Sequence, residues 1–165
     1  MYFNLKLKFM ARVNVGIKPE YLADQHLIAE SVEITMITGG LRANDFEIKS
    51  DIPPILNLGK GHINFFKDKL LYLYKRLEEV NMEMSRRNFR PGTYIDLDLF
   101  PSELCNDWTP SLDESLVLRG RVVDRLYHPK KGQDGRKYYR YERTVIGDEL
   151  TSFGERIIQS ELYYV

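Results

Sequence analysis

The sequence predicts a mainly α protein: a compact single domain of three helices, with long loops and a C-terminal extension. Three stretches carry helical apolar periodicity, and start or stop signals accompany them. The segments between them are broken by proline and glycine. A length of 165 residues suits one domain. Such a chain can bury roughly two-thirds of its unfolded surface, so it needs no metal or disulfide to fold. The expected division is 1–9 as an N-terminal extension, 10–145 as the domain and 146–165 as a tail packing on it.

Residues 1–9 read as a short strand or a loose arm. Met10-Ala11-Arg12-Val13-Asn14-Val15 then looks like a second start. The first helix is expected from about Pro19, since proline suits a first turn, to the paired Gly39-Gly40. His26, Glu30 and Glu33 fall at i, i+4 and i+7, which places an imidazole and two carboxylates on one face. A solvated acidic face beside a histidine is the ordinary reading of that pattern. Residues 41–54 are polar and irregular. A glycine-rich turn, Leu58-Gly59-Lys60-Gly61-His62, opens a second helix expected over about 62–87. Phe66, Leu70, Leu73, Leu77, Val80 and Met84 recur there at steps of four and three, a core stripe rather than a cofactor box. Residues 88–110, with Pro91-Gly92, Pro101 and Pro110, read as a long surface loop. The third helix is expected from Ser111 to Tyr127, stopped by Pro129, with Leu116, Val123 and Leu126 able to face inward. On it Arg121 and Arg125, followed by His128, form a cationic stripe. The Asp134-Gly135 pair suggests a hairpin tip over 131–136. Lys137-Tyr138-Tyr139-Arg140-Tyr141 interleaves cations with aromatics, which suits phosphates and unpaired bases or else covers a small core. Residues 146–165 read as a short helix and an apolar end.

Composition narrows the function classes. The 24 basic and 24 acidic residues leave a formal net charge of zero. That argues against a wholly basic nucleic-acid coat, although a local basic face remains compatible. With a single cysteine there is no intrachain disulfide, and three scattered histidines show no zinc-ligand spacing. No apolar run reaches the ~18 residues that span a membrane. The first ten residues make a poor signal peptide. A cytoplasmic protein is therefore expected.

One set of motifs stands out: Arg12-x-Asn14 after Met10-Ala11, then Leu22-Ala23-Asp24-Gln25-His26-Leu27-x-Ala29-Glu30 with Glu33. Leu58-Gly59-x-Gly61-His62, Phe65-Phe66-x-Asp68-Lys69-Leu70, Arg121, Arg125 and Lys137-Tyr138-Tyr139 complete the set. Together they resemble the phage pyrimidine-dimer DNA glycosylase family, also called endonuclease V of the ultraviolet-repair type. The resemblance implies a three-helix fold with little sheet. It also implies removal of the base bond at the 5′ pyrimidine of a cyclobutane dimer, followed by β-elimination. No cofactor or metal is implied, and the partner is damaged double-stranded DNA, bound by a monomer in the (host) cytoplasm.

The same resemblance assigns roles. The nucleophile is the α-amine exposed when the initiator Met is removed, which here is Ala11 if the active form starts there. Glu33 is the catalytic carboxylate. Arg12, Gln25, His26, His62, Arg121 and Arg125 are expected DNA contacts, and Lys137, Tyr138 and Tyr139 lie near the distorted strand. An α-amine has a pKa near 7.7–8.0 and is roughly a tenth neutral at pH 7, so it needs no burial to become nucleophilic. Two positions depart from the family pattern, Val32 and Met36, where arginine usually stands. A non-enzymatic DNA-binding protein on the same fold is the alternative reading.

Overall fold

Six α-helices and one two-stranded hairpin make up the regular structure of residues 13–59, 61–129 and 133–165, which the computed structural model describes. The chain is mainly α, as expected. Residues 1–9, Ala11, Arg12 and the Lys131-Gly132 part of the expected tip lie outside the described residues.

The first helix, α1 (Asp24–Ala43), differs from expectation at both ends. Pro19–Tyr21 forms a separate 3-10 turn, and Leu22 and Ala23 are extended. The reason lies 65 residues along the chain. The buried Arg87 guanidinium donates to the carbonyls of Leu22, Pro19 and Glu20, so these oxygens serve a charge instead of an α-helical ladder. At its other end, α1 runs through Gly39-Gly40 because Leu41 is buried in the core. It stops one turn later in a Schellman closure: Phe46 N–H reaches Leu41 O, Asp45 N–H reaches Arg42 O, and Asp45 has φ 51°.

The expected second helix is two helices, α2 (Gly61–Phe65) and α3 (Leu70–Arg86). Residues 66–69 turn between them, and Lys69 Nζ takes up the Phe65 carbonyl at 2.9 Å. The break lets adjacent rings, Phe65 and Phe66, both reach the core, where Trp108 from the long loop meets both edge-on. The six-residue stripe from Phe66 to Met84 is buried throughout.

Helix α4 (Leu112–Tyr127) has the expected limits, opened by a reciprocal capping box between Ser111 and Glu114. Its inward face is set differently: Ser115, Leu118, Arg119, Val122 and Leu126 are buried, whereas Leu116 is exposed. Asp134 caps the short α5 (Gly135–Tyr138) and makes no hairpin. The hairpin follows it, pairing β1 (Arg140–Tyr141) with β2 (Thr144–Val145). Glu142 and Arg143 form its turn with φ 48° and 69°, and the Asp24 carboxylate accepts both of their N–H groups.

Helix α6 (Leu150–Gln159) packs on α4. The chain after it returns to residue 16, where Tyr163 N–H donates to Gly16 O. No helix among the described residues is long and apolar enough to cross a membrane.

Candidate active site

The middle of α1 carries Glu33, which the sequence reading expects to be the catalytic carboxylate. Glu33 is buried, at 4% exposure. One turn earlier, Glu30 is wholly buried and engaged in a four-bond cluster. Its Oε1 accepts from Arg76 Nε at 2.6 Å and from Asn14 N–H at 3.1 Å. Its Oε2 accepts from Arg76 NH2 at 3.0 Å and from Asn14 Nδ2 at 2.9 Å. The third guanidinium nitrogen of Arg76 donates to Ile17 O at 2.7 Å. Burial works against the Arg76 charge, but the Glu30 carboxylate more than offsets it and the pKa lies above its ordinary value.

His62 belongs to the same construction. Its Nε2 accepts from Val13 N–H at 3.1 Å and its Nδ1 faces Asn57 O at 2.9 Å, so the neutral tautomer with hydrogen on Nδ1 satisfies both. At 1% exposure the ring has no surface to offer a phosphate. The expected DNA contact at His62 is therefore corrected: the ring holds the backbone two residues after Ala11. Ala11 and Arg12 themselves lie outside the described residues.

A second group forms beside α1. Gln25, His26, Arg125, Tyr138 and Tyr139, five of the expected contacts, line one cavity of about 30 Å³. That is room for water and not for a nucleobase. Gln25 spends its amide on the next segment, donating to Tyr138 O and accepting from Arg140 N–H at 3.0 Å. It positions the aromatic segment. His26 packs on Tyr139 with ring centroids 4.9 Å apart. Burial, then the charges of Arg121 and Arg125, push its pKa down to about 4, so the ring is neutral near pH 7. Its Nδ1 has no hydrogen-bond partner among the described residues.

Tyr139 is a second correction. It is 3% exposed and donates its hydroxyl to Arg125 O at 2.9 Å, so it belongs to the core. Burial, with Tyr138 beside it, raises its pKa to about 12 against the opposing arginines. Lys137 is exposed and Tyr138 half-buried, so these two remain presented outward. Arg121 and Arg125 flank His26, while His128 stands apart at the helix end, facing Asp124 at 3.2 Å.

Sequence reasoning missed Arg76. The signal was present: residue 76 lies three after Leu73 and four before Val80, inside the apolar stripe, and a charge at a core position announces a buried partner. The same logic would have found Arg119, one turn before Val122 on the buried face of α4.

Residues 10–96 match the family model described as pyrimidine dimer DNA glycosylase. The match begins at Met10 and takes in Asn14, Glu30, Glu33, His62 and Arg76. It ends before Arg121, Arg125 and the aromatic segment. The stretch is a little over half of the chain, and it contains the whole of the cluster that holds residues 13–17 against α1 and α3. The chain belongs to the pyrimidine dimer DNA glycosylase family.

Proposed function

We propose that the protein removes a base at pyrimidine dimers in double-stranded DNA and then cuts the strand as an abasic-site lyase. Its nucleophile is the α-amine of Ala11 in a form that starts there, and Glu33 is its catalytic carboxylate. The supporting observation is the Glu30 cluster. Asn14 is tied to Glu30, which lies one turn from Glu33. Three residues span at most about 10–11 Å, so an amine at Ala11 stays close to that turn. An amine at Met1, a further ten residues back, has an additional reach of roughly 30 Å and no such constraint.

The amine attacks C1′ as the glycosidic bond breaks, and the base departs with the bonding electrons and acquires a proton. Glu33 stabilises the cationic sugar in this step. The C1′–O4′ bond then breaks, O4′ taking a proton as the nitrogen loses one, and the open-chain Schiff base acidifies the neighbouring C2′ hydrogen. Glu33 removes that proton and the 3′ phosphate leaves by β-elimination. Water then hydrolyses the imine and frees the amine. Neither step calls for a metal or a cofactor. Arg12, Arg121, Arg125 and Lys137 hold phosphates, Tyr138 stacks near the distorted strand, and His26 with Gln25 supports that face. The acting unit is a monomer, with 10–145 as its domain and 146–165 as a tail.

A DNA-binding protein that has lost catalysis is the second reading. It is favoured by Val32 and Met36, the latter 49% exposed, which cannot grip phosphates as arginine does. Glu33→Gln separates the two. An enzyme loses turnover on dimer-containing duplex and keeps its binding; a binding protein is inert in both forms.

A further inference from the structure

Glu30 lies outside every step of the proposed chemistry, yet four hydrogen bonds converge on its carboxylate at zero exposure. A buried ion pair is weak evidence for a stabilising role, since well-packed apolar residues often serve a core as well or better. The partners of this pair indicate another use. Arg76 and Glu30 spend three of their bonds on one short segment: the backbone and side chain of Asn14 on Glu30, and the Ile17 carbonyl from Arg76, with the pair itself as the cross-brace. His62 adds Val13 N–H. The segment is thus fixed to α1, α2 and α3 at three successive points.

We propose that Glu30 is a positioning residue for the amine chemistry: braced by Arg76, it anchors Asn14, three residues after the proposed nucleophile, to the helix that carries Glu33. This rests on the amine reading given above and extends it to a residue that touches no substrate. Glu30 and Glu33 share one helix face, about 5–6 Å apart at Cβ, so the anchor and the carboxylate move as one rigid unit. Losing the anchor leaves the amine present but no longer held in place. A displacement near 1 Å can cost roughly 100-fold in rate.

The test compares single-turnover borohydride trapping with equilibrium binding to dimer-containing duplex. Protein expressed from Met10 is the reference. Asn14→Ala removes only the Nδ2 bond and leaves the ion pair intact. The double variant Glu30→Met with Arg76→Met replaces the pair by apolar side chains without stranding a charge. The expected result is a trapping rate lower by roughly 10- to 100-fold, with the Kd within about threefold and melting cooperative. Trapping at the reference rate in either folded variant would overturn the positioning role alone. So would trapping and binding that fall together in step with Tm, which marks a purely structural pair. Absence of an adduct with the reference protein would overturn the amine reading and this proposal with it.

Discussion

At the scale of single residues, the site separates groups that act from groups that hold. Glu33 is the side chain whose loss should be purely kinetic. In Glu33→Gln, single-turnover glycosidic-bond cleavage should fall by roughly 10²–10⁴-fold while the Kd for dimer duplex changes little. His26 gives a stability test instead. Its folded pKa near 4 lies below its ordinary 6.5 because of burial and the two arginines. Between these values the unfolded chain binds more protons, so the stabilisation is complete above pH 6.5 and is lost as pH falls through about 4. The loss should reach no more than about 3 kcal/mol, and urea midpoints measured against pH should lose that slope in His26→Gln.

At the scale of elements, α1 can be made more stable at its C-terminal end, away from Glu30 and Glu33. Gly39 and Gly40 are exposed, helical and meet nothing within 4 Å of an added Cβ. Gly39→Ala should stabilise the protein by about 0.5–1 kcal/mol, read as a higher Tm. These glycines also show where the sequence misleads. A Gly-Gly pair signals a helix end by local rules, but the burial of Leu41 carries α1 past it, and Asp45 takes the left-handed position. Asn88, with φ 61°, does the same after α3. The limits of α4 were legible because Ser111, Glu114 and Pro129 act within a turn of the helix ends. The core stripe of α3 was legible because periodicity is local. The single helix expected over 62–87 was not, because its break depends on Trp108 and Cys105 arriving from a loop some 40 residues away. In the site, the turn from Gln25 to Glu33 could be read directly. The distinction between a presented residue and a buried one could not: His62, Tyr139 and Gln25 are defined by partners 49, 14 and 115 positions away.

At the scale of the whole molecule, the tail closes on the segment that leads to the site. Arg119, 1% exposed, donates to the carbonyls of Gly16, Ile158, Ser160 and Glu161. Gly16 sits at φ 70°, and a Cβ there would stand 2.3 Å from Ser115 Oγ and 2.8 Å from Leu162 Cδ1. Gly16→Ala should therefore cost at least about 2 kcal/mol in chemical denaturation. DNA affinity belongs to this scale as well. Arg121 and Arg125, two of the proposed phosphate contacts, share one face of α4. Arg121→Gln should lower the slope of log K against log salt by about one unit, and Met36→Arg should raise it by about as much.

Borohydride reduction tests the proposed Schiff base most directly. Protein beginning at Met1 and protein beginning at Ala11 are each mixed with dimer-containing duplex and with abasic duplex, reduced, and mapped by peptide mass. A covalent adduct confined to the Ala11 form, and located on Ala11, is the expected result. Adducts in neither form, or an adduct on any other residue, would contradict the assignment of the nucleophile and leave Glu33 without a reaction to serve.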